Sequence, residues 1–186
     1  MKQRIGRDIS AASQCIKAGG VIAYPTEGVF GLGCMPDNEA AIETLLNIKN
    51  RQIDKGFILI AASREQLSPF IDTLSADLER KLDDTWPGPV TWILPCSSTA
   101  PASVTGNKTT IATRVTDHKA ACDLCTECNS AIISTSANIS GQPACKTAAQ
   151  VAEVFAGQLD YILDYEVGDL RGPTPIFDGI TGDQLR

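Results

Sequence analysis

Long hydrophobic runs are absent from this chain of 186 residues, and so is any segment typical of secretion. The longest apolar stretches, such as residues 57–62, are far too short for a membrane-spanning helix, which needs about 20 apolar residues. The first four residues include two basic ones, but no apolar segment follows them, as a signal peptide would require. We therefore expect a cytoplasmic protein that does not bind membranes.

Histidine is almost missing as well, which limits the catalytic mechanisms that the residues themselves suggest. The one histidine is His118, and no serine, histidine and aspartate have the spacing of a nucleophilic triad. His118 could act as a general base, but it follows Asp117 at a predicted helix start, where a structural or capping role is more common. The sequence therefore favours a structural role for His118.

Seven cysteines are present, an odd number, so a disulfide framework is not expected in a chain without a secretion signal. The spacing of Cys122, Cys125 and Cys128 suggests a metal site, with His118 or Cys145 as the fourth ligand. However, this segment is predicted to be helical, and a second Cys-x-x-Cys pair is missing. Free thiols are the favoured interpretation, so no metal ligands are predicted; a metal- or thiol-sensing protein is the alternative.

The net charge of −6 argues against a nucleic-acid-binding protein that relies on an overall positive charge. The acidic residues are concentrated in residues 121–186, which carry 3 Lys and Arg against 9 Asp and Glu. The first two thirds of the chain can still form a local basic surface, and an anionic substrate needs only such a local field.

Hydrophobic residues make up 43% of the chain and charged residues 20%, which predicts one compact domain with a substantial core. Predicted helices and strands alternate, so the fold class is α/β with a mostly buried mixed sheet. Capping residues and hydrophobic spacing predict helices at residues 10–18, 38–49, 75–84, 117–128 and 147–157, and a short helix opening at 63–66. Short apolar runs predict strands at residues 21–24, 57–62, 90–94, 110–114, 131–135, 161–163 and 175–178.

Two loops that follow predicted elements have compositions suited to ligand binding. Residues 24–33 are rich in glycine but match neither a Walker loop nor a dinucleotide fingerprint, and a structural turn is an alternative. Residues 49–56 contain Lys49, Arg51 and Lys55 between a helix and a strand, where arginine and lysine can hold phosphate. A solvated basic loop is the alternative for this second segment.

Further polar groups stand at the ends of two other predicted strands. Residues 134–141 are rich in hydroxyl and amide groups, which bind phosphate or carboxylate but also form turns. Arg114 is the single charge in an apolar stretch, so it needs a partner, either a ligand carboxylate or a structural acid such as Asp117. The segment Trp86-Pro87-Gly88-Pro89 is typical of a rigid turn, and we interpret it as architecture.

Taken in order, these motifs resemble the pattern of the YrdC family. They are Tyr-Pro-Thr-Glu-x-Val-Phe-Gly-Leu-Gly, Lys-x-Arg, Trp-Pro-Gly-Pro-Val-Thr, Ala-x-Arg, and Ser-x-Asn followed by Ser-Gly. The resemblance covers about residues 9–186 and extends to the short bacterial TsaC-type threonylcarbamoyl-AMP synthases at residues 54–56, 116–118 and 178–182. It implies a single YrdC-like domain over residues 1–186 without a C-terminal extension domain. It also implies a twisted mixed sheet flanked by helices, with a concave basic cleft.

The resemblance further implies a reaction. L-Threonine and bicarbonate would give N-carboxythreonine, whose carbamate oxygen attacks the α-phosphate of ATP to give threonylcarbamoyl-AMP and pyrophosphate. Mg²⁺ would be carried with the nucleotide rather than held by a protein cage. The pathway partners TsaB, TsaD and TsaE would then transfer the group to adenosine 37 of tRNA. The alternative function is a non-catalytic module that binds tRNA or double-stranded RNA.

Matching motif positions assign expected roles to nine residues. Lys49 and Arg51 are expected to be catalytic. The expected ATP contacts are Lys49, Arg51, Lys55, Thr110, Ser136 and Asn138, and the expected threonine contacts are Thr26, Arg114 and Ser134. The chain departs from the longer members at Gly28, where they have threonine, and at Ala144, where they often have serine. Any ligand contact from a side chain at position 28 is therefore not expected here.

Overall fold

The computed structural model describes residues 3–186, and these residues form a nine-stranded mixed sheet flanked by helices. The predicted α/β class and mixed sheet are therefore confirmed. The strands are β1 (Arg4–Gly6), β2 (Ile22–Pro25), β3 (Phe30–Gly33), β4 (Ile58–Ala61), β5 (Thr91–Pro95), β6 (Thr110–Val115), β7 (Ile132–Ser136), β8 (Tyr161–Leu163) and β9 (Ile176–Asp178). The helices are α1 (Ile9–Lys17), α2 (Glu39–Lys49), α3 (Ala76–Thr85), α4 (Ala102–Thr105), α5 (Lys119–Cys128) and α6 (Ala148–Val154).

The order of strands across the sheet differs strongly from their order in the chain. It runs β1-β8-β2-β3-β7-β4-β6-β5-β9. The hairpin of β2 and β3 is antiparallel, and β7 lies antiparallel to both β3 and β4. β4 is parallel to β6. This order places β3, β7 and β4 side by side in the middle of the sheet. β3 belongs to the glycine-rich segment 24–33, β7 leads into the hydroxyl-rich segment 134–141, and β4 follows residues 49–56, which we call the basic loop.

Helix boundaries follow local capping where the sequence contains good capping residues. Asn38 accepts a hydrogen bond from the Ala41 backbone at 3.0 Å and begins α2. Thr147 accepts one from Gln150 at 3.2 Å and begins α6, as the predicted capping box requires. α2 ends at Asn50, whose φ of 47° is left-handed and turns the chain into the basic loop.

Adjacent residues of the central strands pack into two separate hydrophobic clusters, one on each face of the sheet. Ala23, Leu59 and Ile133 belong to the cluster that includes residues of α2 and α6. Their neighbours Ile22 and Ile60 belong to the cluster with residues of α1 and α5. Burial on both faces explains the continuous apolar run at residues 57–62, which the sequence had predicted to be a buried strand.

Several predicted elements differ from the observed ones. The predicted helix opening at residues 63–66 is wrong: the chain forms turns there, and Gln66 accepts a hydrogen bond from Ala62 at 2.8 Å instead of capping a helix. α5 begins at Lys119 with His118 rather than Asp117 as the N-cap residue. The sequence also missed β1, β3 and α4, which are short or rich in glycine or small residues.

Within residues 3–186, no helix combines the length and the hydropathy needed to cross a membrane.

Candidate functional site

A cavity of about 270 Å³ opens at the middle of the sheet, between the β2–β3 turn, the basic loop and the ends of β4, β6 and β7. Six of the nine predicted site residues line it, namely Thr26, Arg51, Lys55, Arg114, Ser134 and Ser136. The remaining three, Lys49, Thr110 and Asn138, are not among the lining residues. Thr110 lies two positions before Ala112 on β6, and Ala112 does line the cavity. The fold thus brings together residues that are far apart in the chain.

Arg114 is held at the cavity by groups from three distant parts of the chain. The side chain is buried, and its Nη2 atom lies 3.1 Å from Oε2 of Glu27. Its Nη1 atom donates to the hydroxyls of Thr91 at 3.0 Å and Thr174 at 2.8 Å. The hydroxyl of Thr116 donates to the other Glu27 oxygen at 2.6 Å. Of the two kinds of partner expected for Arg114, a ligand carboxylate or a structural acid, the structure contains a structural acid, Glu27.

Asp117, the acid suggested for this role from the sequence, is exposed, and the suggestion is wrong. The Nε atom of Arg114 is buried and has no hydrogen-bond acceptor among residues 3–186. Because Arg114 also lines the cavity, its guanidinium is placed to attract an anionic ligand.

The basic loop holds Arg51 in a fixed position and leaves Lys55 exposed. Arg51 donates to the carbonyl of Gly56 at 2.9 Å, and its guanidinium lies 5.5 Å from the ring centre of Phe57. Burial lowers the pKa of Arg51, and its buried Nε atom has no acceptor in the described part of the chain. Lys55 ends a single 3₁₀ turn, Ile53–Lys55, and lines the cavity from the solvent side. The loop therefore provides one partly buried guanidinium held by protein contacts and one exposed ammonium.

Lys49 is oriented differently from Arg51 and Lys55, the other two cations of residues 49–56. Its side chain is 4% exposed, and its ammonium donates to the carbonyls of Ser136 and Asn138 and to Oδ1 of Asn138. The Ser136 hydroxyl donates to the same Oδ1 atom at 2.6 Å. Burial, followed by the nearby positive charge of Arg51, lowers the pKa of Lys49 to about 8. Lys49 thus binds the loop that follows β7.

Two close backbone contacts shape the other side of the cavity. The Thr26 hydroxyl donates to the Val29 carbonyl at 2.7 Å and closes the turn between β2 and β3. A Cβ atom at Gly28 would lie only 2.1 Å from the carbonyl oxygen of Gly172. Gly28 is therefore required for residues 168–174 to pack against this turn, where the backbone amides of Gly168 and Leu170 bond to residues of the turn.

Residues near the end of the chain also reach the cavity, and none of them was among the predicted site residues. Thr174 accepts a hydrogen bond from Arg114. Thr174, Gly172 and Arg186 all line the cavity. Arg186 donates to the Thr174 carbonyl at 2.8 Å, and burial, together with Arg114, lowers its pKa. The strand predicted at residues 175–178 was the one local signal in this region, and it did not indicate a position at the cavity.

The lining of the cavity is cationic. Among the described residues that line it are Arg51, Lys55, Arg114 and Arg186, with no aspartate or glutamate. Such a surface attracts anions, and the hydroxyls of Thr26, Ser134 and Ser136 can give it hydrogen-bonding specificity. A resident Mg²⁺ does not fit this lining, because it prefers carboxylate oxygens. A magnesium ion would have to enter with a phosphate-bearing ligand.

The alternative sites proposed from histidine and cysteine do not form a cluster. Cys125 and Cys128 are buried, and their thiols lie 3.6 Å from the Ile60 carbonyl and the Ser13 hydroxyl, respectively. Within residues 3–186, no group of three histidine, cysteine or acidic side chains is arranged to hold a metal. Nε2 of His118 lies 2.9 Å from the Glu166 carbonyl, and His118 is not among the residues lining the cavity.

Comparison with known proteins identifies the fold and its relatives. A family model described as "Telomere recombination", covering the Sua5, YciO and YrdC proteins, matches residues 14–186. The chain is 51% identical over 175 residues to a protein of Vibrio vulnificus named threonylcarbamoyl-AMP synthase, covering 93% of this chain and 94% of that protein. A protein of the same name from Nitrosococcus oceani is 49% identical, with 96% of both chains covered.

Solved structures agree with this result. Sua5 of P. abyssi in complex with L-threonine superimposes with a TM-score of 0.88 at 32% identity. That match covers 96% of this chain but only 54% of the Sua5 chain, so this chain spans about half of that longer protein. E. coli YciO superimposes with a TM-score of 0.80 at 25% identity, covering 96% of this chain and 90% of YciO. The chain belongs to the Sua5/YciO/YrdC family.

Proposed function

We propose that this protein is a threonylcarbamoyl-AMP synthase, which makes threonylcarbamoyl-AMP and pyrophosphate from L-threonine, bicarbonate and ATP for t6A modification of tRNA. The observation that carries the proposal is the cavity, in which four cations and several hydroxyls converge without a carboxylate. The name shared by relatives at about half identity over nearly the whole chain agrees with it. One continuous sheet within residues 3–186 supports a single domain.

Arg114 provides the natural site for the threonine carboxylate. It lines the cavity, and its contacts with Glu27, Thr91 and Thr174 hold the guanidinium in a fixed orientation before a ligand arrives. Ser134 is buried in the same wall, and Thr26 is at the hairpin turn. Hydroxyls in these positions are suited to the polar groups of threonine, and an analogue without its hydroxyl would leave them unpaired.

The remaining cations of the cavity are suited to binding the triphosphate of ATP. Arg51 and Lys55 approach from the basic loop and Arg186 from the end of the chain. Ser136 lines the same cavity and its hydroxyl donates to Asn138, while Thr110 begins β6. Any Mg²⁺ would be carried with the nucleotide and would neutralise part of the phosphate charge, while these protein cations neutralise the rest.

In the proposed reaction the protein positions the reactants and stabilises charge. Threonine nitrogen and bicarbonate form N-carboxythreonine with loss of water. Its carbamate oxygen then forms a bond to the α-phosphorus, while the bond from that phosphorus to the α,β-bridging oxygen breaks and pyrophosphate leaves. Arg51, Lys55 and Arg186 stabilise the negative charge that grows on the leaving pyrophosphate. The product then passes to the partners TsaB, TsaD and TsaE for transfer to tRNA.

Pyrophosphate release tests this proposal directly. We expect release that requires ATP, L-threonine and bicarbonate together, and a marked loss when L-valine, which has the shape of threonine without its hydroxyl, replaces it. Arg51→Met should reduce the rate at least tenfold, because it removes a cation from the cavity wall. Arg80→Gln, on the exposed side of α3, is the matched control and should retain the wild-type rate. Release that does not depend on threonine would refute the proposal.

A further inference from the structure

The ammonium of Lys49 has no free donor for a ligand. A lysine ammonium carries three N–H groups, and Lys49 has three acceptors within hydrogen-bonding distance. All three belong to Ser136, the last residue of β7, and to Asn138 in the loop that follows it. To bind a phosphate oxygen directly, Lys49 would have to give up one of these contacts.

The surroundings of Lys49 support the same conclusion. The side chain is almost fully buried and is absent from the lining of the cavity, whereas Arg51, two residues later, is part of it. Within the described residues, no aspartate or glutamate forms an ion pair with Lys49. A buried ammonium without a carboxylate is costly, so its environment must satisfy it through other acceptors. Its position in the last turn of α2 is favourable for a cation.

Lys49 is one member of a hydrogen-bond network centred on the side chain of Asn138. Oδ1 of Asn138 accepts from both Lys49 and the Ser136 hydroxyl, while its Nδ2 donates to the Ile139 and Gln142 carbonyls. The chain therefore folds around the Asn138 amide and the Lys49 ammonium together. Ser136 is the member of this group that lines the cavity.

We propose that Lys49 is a positioning residue of the nucleotide site, which acts by holding the Ser136–Asn138 loop and does not contact the phosphates itself. The effect of Lys49 on ATP binding rests on the proposed function. Its effect on the order of the loop does not. It assigns the Lys-x-Arg motif two separate tasks, with Lys49 ordering the loop and Arg51 facing the ligand.

Hydrogen exchange of the protein without nucleotide tests the structural part. In Lys49→Met, the amides of residues 136–142 should exchange at least tenfold faster than in the wild type. In Arg51→Met, the matched control, they should exchange at the wild-type rate. Equal protection of the loop in Lys49→Met and the wild type would overturn the proposal. This result does not depend on whether the protein makes threonylcarbamoyl-AMP.

A double-mutant cycle on ATP affinity tests the second part. Lys49→Met and Ser136→Ala should each weaken ATP binding about tenfold, and the double variant should also be about tenfold weaker because both changes act through one loop. Arg51→Met combined with Ser136→Ala should be about a hundredfold weaker, since these two residues act independently. A hundredfold loss in the Lys49 and Ser136 double variant would mean that Lys49 contacts ATP itself and would overturn the proposal.

Nitrogen NMR of the wild type covers the case in which Lys49→Met does not fold. With ¹⁵N-labelled lysine, the Nζ resonance of Lys55 should shift on addition of ATP, and that of Lys49 should shift much less. An equal or larger shift for Lys49 would overturn the proposal. If the wild type releases no pyrophosphate in the earlier assay, the proposed function fails, and the hydrogen exchange experiment alone decides the role of Lys49.

Discussion

The buried ion pair between Glu27 and Arg114 allows a quantitative test of how the site is held together. Glu27 is 5% and Arg114 3% exposed, and 3.1 Å separates their charged atoms. Glu27→Gln keeps the size of the side chain but leaves the Arg114 cation buried without a counter-charge. Breaking such a pair by removing one partner costs about 3 kcal/mol or more. We expect Glu27→Gln to lower the free energy of unfolding by about that amount.

Urea denaturation at neutral pH measures this loss, with Arg80→Gln as the control. Arg80 pairs with Asp77 at 3.0 Å, but their side chains are 75% and 65% exposed. An exposed pair contributes little, so Arg80→Gln should cost less than about 0.5 kcal/mol. The distance between charges is nearly the same in both pairs, so the difference between the variants reports the effect of burial.

A variant that lacks both charges isolates the interaction energy of the Glu27–Arg114 pair from the other effects of each substitution. In Glu27→Gln combined with Arg114→Met, no buried charge is left alone, so the loss should be smaller than the sum of the single losses by about 2 kcal/mol. The reasoning is refuted if Glu27→Gln is no more destabilising than Arg80→Gln, or if the two single losses simply add.

Two further predictions concern pH and backbone packing. Because burial lowers the pKa of Lys49 from 10.5 to about 8, the unfolded chain binds more protons between these values. Between pH 8 and pH 10, the free energy of unfolding of the wild type should therefore rise by about 2 kcal/mol relative to that of Lys49→Met. Urea denaturation of both proteins at the two pH values measures this change. The same difference between the two proteins at both pH values would contradict the prediction. Gly28→Val should weaken threonine binding at least tenfold and destabilise the fold, since its Cβ atom would overlap the Gly172 carbonyl. Gly172→Ala, with open space around its Cβ position, is the control for stability measured by calorimetry, and an equal loss of stability in the two variants would argue against the packing explanation.

Local signals were sufficient for most helices and for several strands. α2 and α6 begin where the sequence contains Asn38 and Thr147, because a capping side chain bonds to the backbone three residues away. The same kind of signal failed at residues 63–66, since Gln66 makes tertiary contacts instead: its amide donates to the Cys125 carbonyl at 3.1 Å. β3 was missed because its glycines have low strand propensity, and its pairing with β7 decides its conformation.

For the site, the sequence by itself determined which segments carry the cations and hydroxyls, because these residue types stand together in short motifs at strand ends. It also determined the mixed α/β class through the alternation of apolar runs and capped helices. Only the tertiary structure decided the partners of these residues. Arg114 is paired with Glu27 and not with Asp117, Lys49 binds the Ser136–Asn138 loop, and Arg186 reaches the cavity, since each contact depends on strand order across the sheet and not on spacing along the chain.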